Sequence, residues 1–167
     1  MIFDFDLNFL EDAAALVDTR LDLLDKEAEE SPDPDSFGVY DQIEYITGFG
    51  LVACQTYATA IASRTKLEKR EAFARAPMHR TGRSMVQLIN AAANHWKHSS
   101  EWPLDAITGQ AKRTLDVIRS LGVDTEVSYP VSRTLFRILT PLPARVVWAN
   151  LIPFLVQWRD AVLRLRS

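Results

Sequence analysis

The densest concentration of groups able to do chemistry is the run Asn90-Ala91-Ala92-Ala93-Asn94-His95-Trp96-Lys97-His98-Ser99-Ser100-Glu101-Trp102, which carries two of the three histidines. On a helix, Asn94 and His98 are four residues apart and face the same way. Asn90 lies one turn earlier and Glu101 nearly one turn later. The spacing predicts one polar stripe of Asn90, Asn94, Lys97, His98 and Glu101. An imidazole changes charge near neutral pH and can act as general acid or base. An amide can orient that ring or a phosphate, and an ammonium can neutralise developing negative charge. Cleavage of RNA by attack of the ribose 2′-hydroxyl needs a proton acceptor, a proton donor and a cation near the phosphate. The alternative is structural: Asn94 and His98 hydrogen-bond to neighbouring helices and loop carbonyls, while Trp96 and Trp102 anchor the helix end.

His95 and His98 also form an HxxH pair, and His79 is the other histidine. Glu101, Glu44 or Asp41 would have to complete a metal site, and no spacing selects any of them. Neither a metal nor a cofactor is expected. Cys54 is the single cysteine, so no internal disulfide can form. It falls in an apolar helical stripe and reads as a small core residue.

Charge is divided along the chain. Of 22 acidic residues 14 precede Tyr45, against 2 of the 19 basic ones, so a segment of net -12 is followed by one of net +9. The densest basic stretch contains Arg64, Lys66, Lys69, Arg70, Arg75, Arg80 and Arg83. These residues form a candidate RNA-binding surface, because neutralised phosphates release counterions. In the competing reading the acidic first helix lies across the basic remainder, and the charges serve solubility and orientation.

The elements that must position these groups are helical. Leu7, Leu10, Ala14, Val17, Leu21 and Leu24 recur at three- and four-residue spacing, with Asp6 or Asn8 as N-cap. Ser31-Pro32-Asp33-Pro34-Asp35 ends this helix. A second long helix is expected over Tyr40–Ser63, with Ile43, Ile46, Gly50, Cys54, Tyr57 and Ile61 inward. Its Gly48, Gly50 and alanines leave room for a close neighbour. Lys66–Gly82 reads as a helix followed by a loop. Further helices are expected over Ser84–His98, Leu104–Leu121 (closed by Gly122), Val131–Leu139 and Ala144–Arg166, the last kinked or split at Pro153. Val127–Tyr129 reads as a short extended piece. The reading is an all-α bundle of five to seven helices, with two long antiparallel N-terminal helices, in a single domain spanning 1–167. At 47% hydrophobic and 25% charged residues the chain is too apolar to be disordered. It has no membrane-spanning run and no basic start of a secretory signal, so a cytoplasmic protein is expected.

Two long helices followed by a helix carrying Asn-x-x-x-His resemble the HEPN superfamily of small α-helical domains. Its members often act as metal-independent endoribonucleases in bacterial toxin–antitoxin and phage-defence systems. The family motif is commonly Arg-Asn-x-x-x-His. Asn94-His95-Trp96-Lys97-His98 matches its second part, and Ala93 stands where the Arg would be. The resemblance spans 6–121, leaving 131–166 as helices packed on that bundle. It implies an RNA ligand and a homodimer in which the motif helices of two subunits face each other. His98 would transfer the proton, Asn94 would orient and Lys97 would supply charge, or the domain would bind RNA without cutting it. The rival is a non-enzymatic, immunity-type helical protein with a cognate protein partner, bound through the acidic first helix or through exposed Trp96, Trp102, Trp148 or Trp158.

Overall fold

The computed structural model describes residues 4–102, 107–140 and 147–164. Among them are seven α-helices and no strand: α1 Phe5–Glu30, α2 Val39–Ala62, α3 Lys69–Phe73, α4 Met85–His98, α5 Gly109–Arg119, α6 Val131–Leu139 and α7 Ile152–Leu163. Single 3-10 turns follow α4, at Ser99–Glu101, and precede α7, at Trp148–Leu151. The molecule is an all-α bundle, as the periodicity predicts.

The stripe Leu10, Ala14, Val17, Leu21 and Leu24 of α1 is buried, with Leu7 at its edge. It packs on α2, which buries Ile43, Leu51, Cys54, Tyr57 and Ile61. The two helices are antiparallel. Arg20 donates to Gln42 at 2.6 Å near one end, and Tyr57 donates to Asp4 near the other. The N-cap of α1 is Asp4 rather than Asp6 or Asn8, because the helix starts at Phe5, two residues earlier than an Asp6 cap implies, and the Asp4 carboxylate accepts from the Leu7 amide. Asp6 instead lies in the first turn and pairs with Arg64. Asp4 also pairs with Arg159 of α7 at 2.7 Å, and Asp25 pairs with Arg133 of α6. Asp18 accepts from the Trp148 and Ala149 amides. The acids of α1 thus orient later elements against the first helix.

The glycines of α2 admit tryptophan. A Cβ on Gly48 would lie 2.1 Å from the Trp96 indole, and one on Gly50 2.8 Å from Trp148. Trp148 and Trp158 are core residues, and the Trp158 indole N–H donates to the Ala72 carbonyl at 2.8 Å. α4 is fixed at its start by a capping box between Ser84 and Gln87.

One expected helix start shifts, one expected extended piece is absent, and the split expected at Pro153 is present. Thr108 is extended and Gly109 has φ +59°, so α5 starts at Gly109; the expected start at Leu104 lies outside the described residues. Residues 127–129 do not form an extended piece. The Asp124 side chain accepts from the Glu126 amide and its carbonyl from the Ser128 amide, which folds the segment into turns. The C-terminal helix is split: a 3-10 turn gives way to α7 at Ile152, and Pro153 sits in the first turn, where its missing N–H is not needed. Its expected ends, 144–146 and 165–166, lie outside the described residues. Among the described residues no helix is long and apolar enough to cross a membrane.

Candidate functional site

The polar stripe of α4 faces a cleft of about 730 Å³. Asn90, Asn94, Lys97 and His98 form one wall, while Gln55, Thr56, Thr59 and Ser63 of α2 form another. Lys69, at the start of α3, and Gln110, in the first turn of α5, close the ends. No carboxylate lines it. Ala91, Ala92 and Ala93 of α4 are buried.

A buried glutamine organises the wall. The Lys97 ammonium donates to Gln55 Oε1 at 2.7 Å. A lysine can only donate, so this contact fixes which end of the Gln55 amide is oxygen. Gln55 Nε2 then donates to Asn90 Oδ1 and Asn94 Oδ1, each at 2.9 Å. Both asparagines therefore turn their oxygens toward Gln55 and their NH₂ groups away from it. Among the described residues those NH₂ groups make no hydrogen bond, and both asparagines line the cleft. The α4 wall offers donors. The α2 wall offers acceptors, since the hydroxyls of Thr56, Thr59 and Ser63 donate back to the carbonyls of Val52, Gln55 and Ala60. Their remaining lone pairs are free to accept.

His98 is oriented by the other end of the stripe. Its Nδ1 lies 3.1 Å from Glu101 Oε2, and 43% of its side chain is exposed. A carboxylate accepts, so Nδ1 carries the proton, and in the neutral ring Nε2 holds a lone pair. Glu101 thus fixes the tautomer that leaves Nε2 able to accept. His95 has a different surrounding. It is buried edge-on against Trp102, its Nδ1 has no partner, and burial pushes its pKa below the usual histidine value. The HxxH pair is therefore split between core and cleft. Among the described residues no group of three His, Cys, Asp or Glu is placed to hold a metal. Cys54 is buried, and burial pushes its thiol up to about 12, so it is no nucleophile.

Of the basic stretch, Lys69 alone reaches the cleft. Arg64 pairs with Asp6 and Arg75 with Glu71. Lys66, Arg70 and Arg80 are exposed outside the cleft lining, and Arg83 is partly buried there. Gln55 was not legible as a site residue: it follows Cys54 in an Ala- and Thr-rich helix, and its role exists only once α4 packs beside it. Ala93 is fully buried, so the position of the family arginine faces the core here. Two of the four tryptophans are core, and Trp96 and Trp102 are partly buried, so no tryptophan-rich surface forms. Comparison of the chain with protein-family models, curated proteins and solved structures gave no match.

Proposed function

We propose that this chain is a HEPN-like RNA-binding domain, and that its cleft cuts RNA without a metal. The observation that carries this reading is the pair of unlike walls. The α4 wall, with two asparagine NH₂ groups, Lys97 and Lys69 nearby, suits a phosphate. The α2 wall, with three acceptor hydroxyls, suits groups that donate. RNA brings both, since each nucleotide joins an anionic phosphate to a ribose 2′-hydroxyl. A simple anion leaves the second wall unused. Lys97 then takes the place of the arginine missing at Ala93.

In the step this arrangement serves, His98 Nε2 takes the proton of the 2′-hydroxyl. The 2′-oxygen attacks phosphorus, and the bond from phosphorus to the 5′-oxygen breaks. The imidazolium returns the same proton to that 5′-oxygen, so the products are a 2′,3′-cyclic phosphate and a 5′-hydroxyl. Glu101 holds the ring's tautomer, and Lys97 offsets charge on the phosphoryl oxygens. From the same resemblance we propose a toxin–antitoxin or phage-defence setting and a homodimer.

End-labelled single-stranded RNA incubated with the protein in EDTA tests the reading. Wild type is expected to bind and to leave cyclic phosphate ends. His98→Ala should bind and not cut, and Lys97→Ala should do both poorly. Failure of the wild type both to bind and to cut defeats the proposal; binding without cutting leaves the RNA-binding part alone.

A further inference from the structure

A second surface lies beside the cleft, across Thr56 and Ala60, which line both. On α1 the exposed residues Phe9, Leu16 and Leu23 recur at seven-residue spacing, on one side of the helix and apart from its core stripe. Phe9 is 72% and Leu16 70% exposed. On α2, Tyr45 and Phe49 are exposed one turn apart. The register that puts Arg20 beside Gln42 puts Leu16 level with Ile46, between Tyr45 and Phe49. Phe9 and Phe49 line one apolar groove of about 320 Å³ between the helices. Acids border this stripe. At about 100° per residue, Asp12, Glu27 and Glu30 fall within about 40° of its centre. All three are exposed, and among the described residues their carboxylates have no partner. The turn joining α1 to α2 adds exposed Asp33, Asp35 and Phe37. The bases nearby are Arg20, bonded to Gln42, and Lys26 at the margin. A row of acids about 27 Å long, from Asp12 to Glu30, thus runs along an apolar groove.

We propose that this face holds a basic amphipathic helix of another protein. Its apolar side seats between α1 and α2, and its lysines or arginines meet Asp12, Glu27 and Glu30. Charge decides the occupant. A second copy brings these acids against their own images across a two-fold axis. RNA and anionic lipid carry the sign of the face and are repelled by it. Acids alone attract any cation, and an apolar groove alone takes any apolar segment. Only a cationic helix with apolar anchors every three to four residues answers both features in one register. The length of the acidic row is that of a helix of about 18 residues. The neighbouring cleft repels the same helix, since Lys69 and Lys97 line it and no carboxylate does. The inference stands on this face and not on the RNA reading.

The probe is a dye-labelled peptide of about 18 residues, with leucine at helical three- and four-residue spacing and lysine elsewhere, titrated by fluorescence anisotropy. The wild type is expected to bind it with a Kd on the order of 10 μM at about 0.1 M salt, and several-fold more weakly at about 0.5 M. The same leucines with glutamate for lysine should not bind, nor should a scrambled peptide of the first composition with no apolar side. Leu16→Ser combined with Phe49→Ser should weaken binding at least about 30-fold, with unchanged helicity and melting temperature. Asp12→Lys combined with Glu27→Lys should weaken it at least about tenfold. Absence of binding by the wild type overturns the proposal, as does equal binding of the scrambled peptide or by either double variant. A change in the sedimenting mass of the protein alone on Leu16→Ser with Phe49→Ser also overturns it, by showing a second copy on this face.

Discussion

Changing Gln55 to glutamate alters one atom and should reverse the hydrogen-bonding sense of the cleft. In the native protein Lys97 fixes the Gln55 oxygen, and the Gln55 NH₂ holds the two asparagine oxygens. A carboxylate there can only accept. Lys97 keeps its partner, and Asn90 and Asn94 must each rotate to donate. Three bonds replace three, so stability should change by no more than about 1 kcal/mol, the desolvation of the new charge being offset by three donors. The cleft pays for this, because two asparagine oxygens now face a phosphate. Each lost donor to a charged group is worth about 1.5–3 kcal/mol, so RNA affinity should fall by on the order of 3 kcal/mol, or more than about 100-fold. Fluorescence anisotropy with a short single-stranded RNA in EDTA, at constant salt, reads the effect directly. An affinity within threefold of wild type, with the melting temperature unchanged, would refute the amide relay.

Other perturbations reach the scaffold that holds the cleft. Gly48→Ala places a methyl 2.1 Å from the Trp96 indole. Overpacking at the upper end costs about 3 kcal/mol, and helix propensity returns about 1, so thermal melting should show a net loss of about 2 kcal/mol. The same change in a Trp96→Ala background should be neutral or stabilising. Burial holds His95 below its ordinary value, so the folded protein resists a proton that the unfolded chain takes near pH 6.5. Its stabilising contribution is complete above that pH and is lost as pH falls through it toward the folded value, with a slope of at most about 1.4 kcal/mol per pH unit. Urea titrations between pH 7.5 and 5.5 should show the slope in wild type and a flatter profile in His95→Phe. Burial pushes Asp4 upward, but Arg159, the Leu7 amide and Tyr57 outweigh it and hold the carboxyl below its usual value. Asp4→Ala should cost about 2 kcal/mol in urea unfolding and Asp4→Asn about 1, since asparagine keeps the cap and loses the pair with Arg159.

Helix placement was legible wherever a single stripe meets the core. Leu10, Ala14, Val17, Leu21 and Leu24 are spaced for one buried face and occupy it. Pro153 marked the break before α7 because its ring tolerates a first turn and little else. The polar stripe of α4 was legible too, since 3.6-residue periodicity alone aligns Asn90, Asn94 and His98. What periodicity cannot reveal is which long side chain turns inward. Lys97 reaches Gln55, whereas Arg64, equally basic on paper, is taken by Asp6 across 58 residues of sequence. Gln55 and Lys69 belong to the cleft only because α2, α3 and α4 converge. The second apolar stripe of α1 stayed hidden because Phe9, Leu16 and Leu23 are outnumbered by the core stripe beside them.

Residue-by-residue mapping of RNA contact on the free protein bears most directly on the central claim. Backbone amide shifts recorded while a short single-stranded RNA is titrated into the ¹⁵N-labelled protein should move together at Gln55, Thr59, Ser63, Asn90, Asn94, Lys97 and His98, and little along the far flank of α1. Shifts confined to the exposed arginines at 70 and 80, or none at saturating RNA, would contradict it.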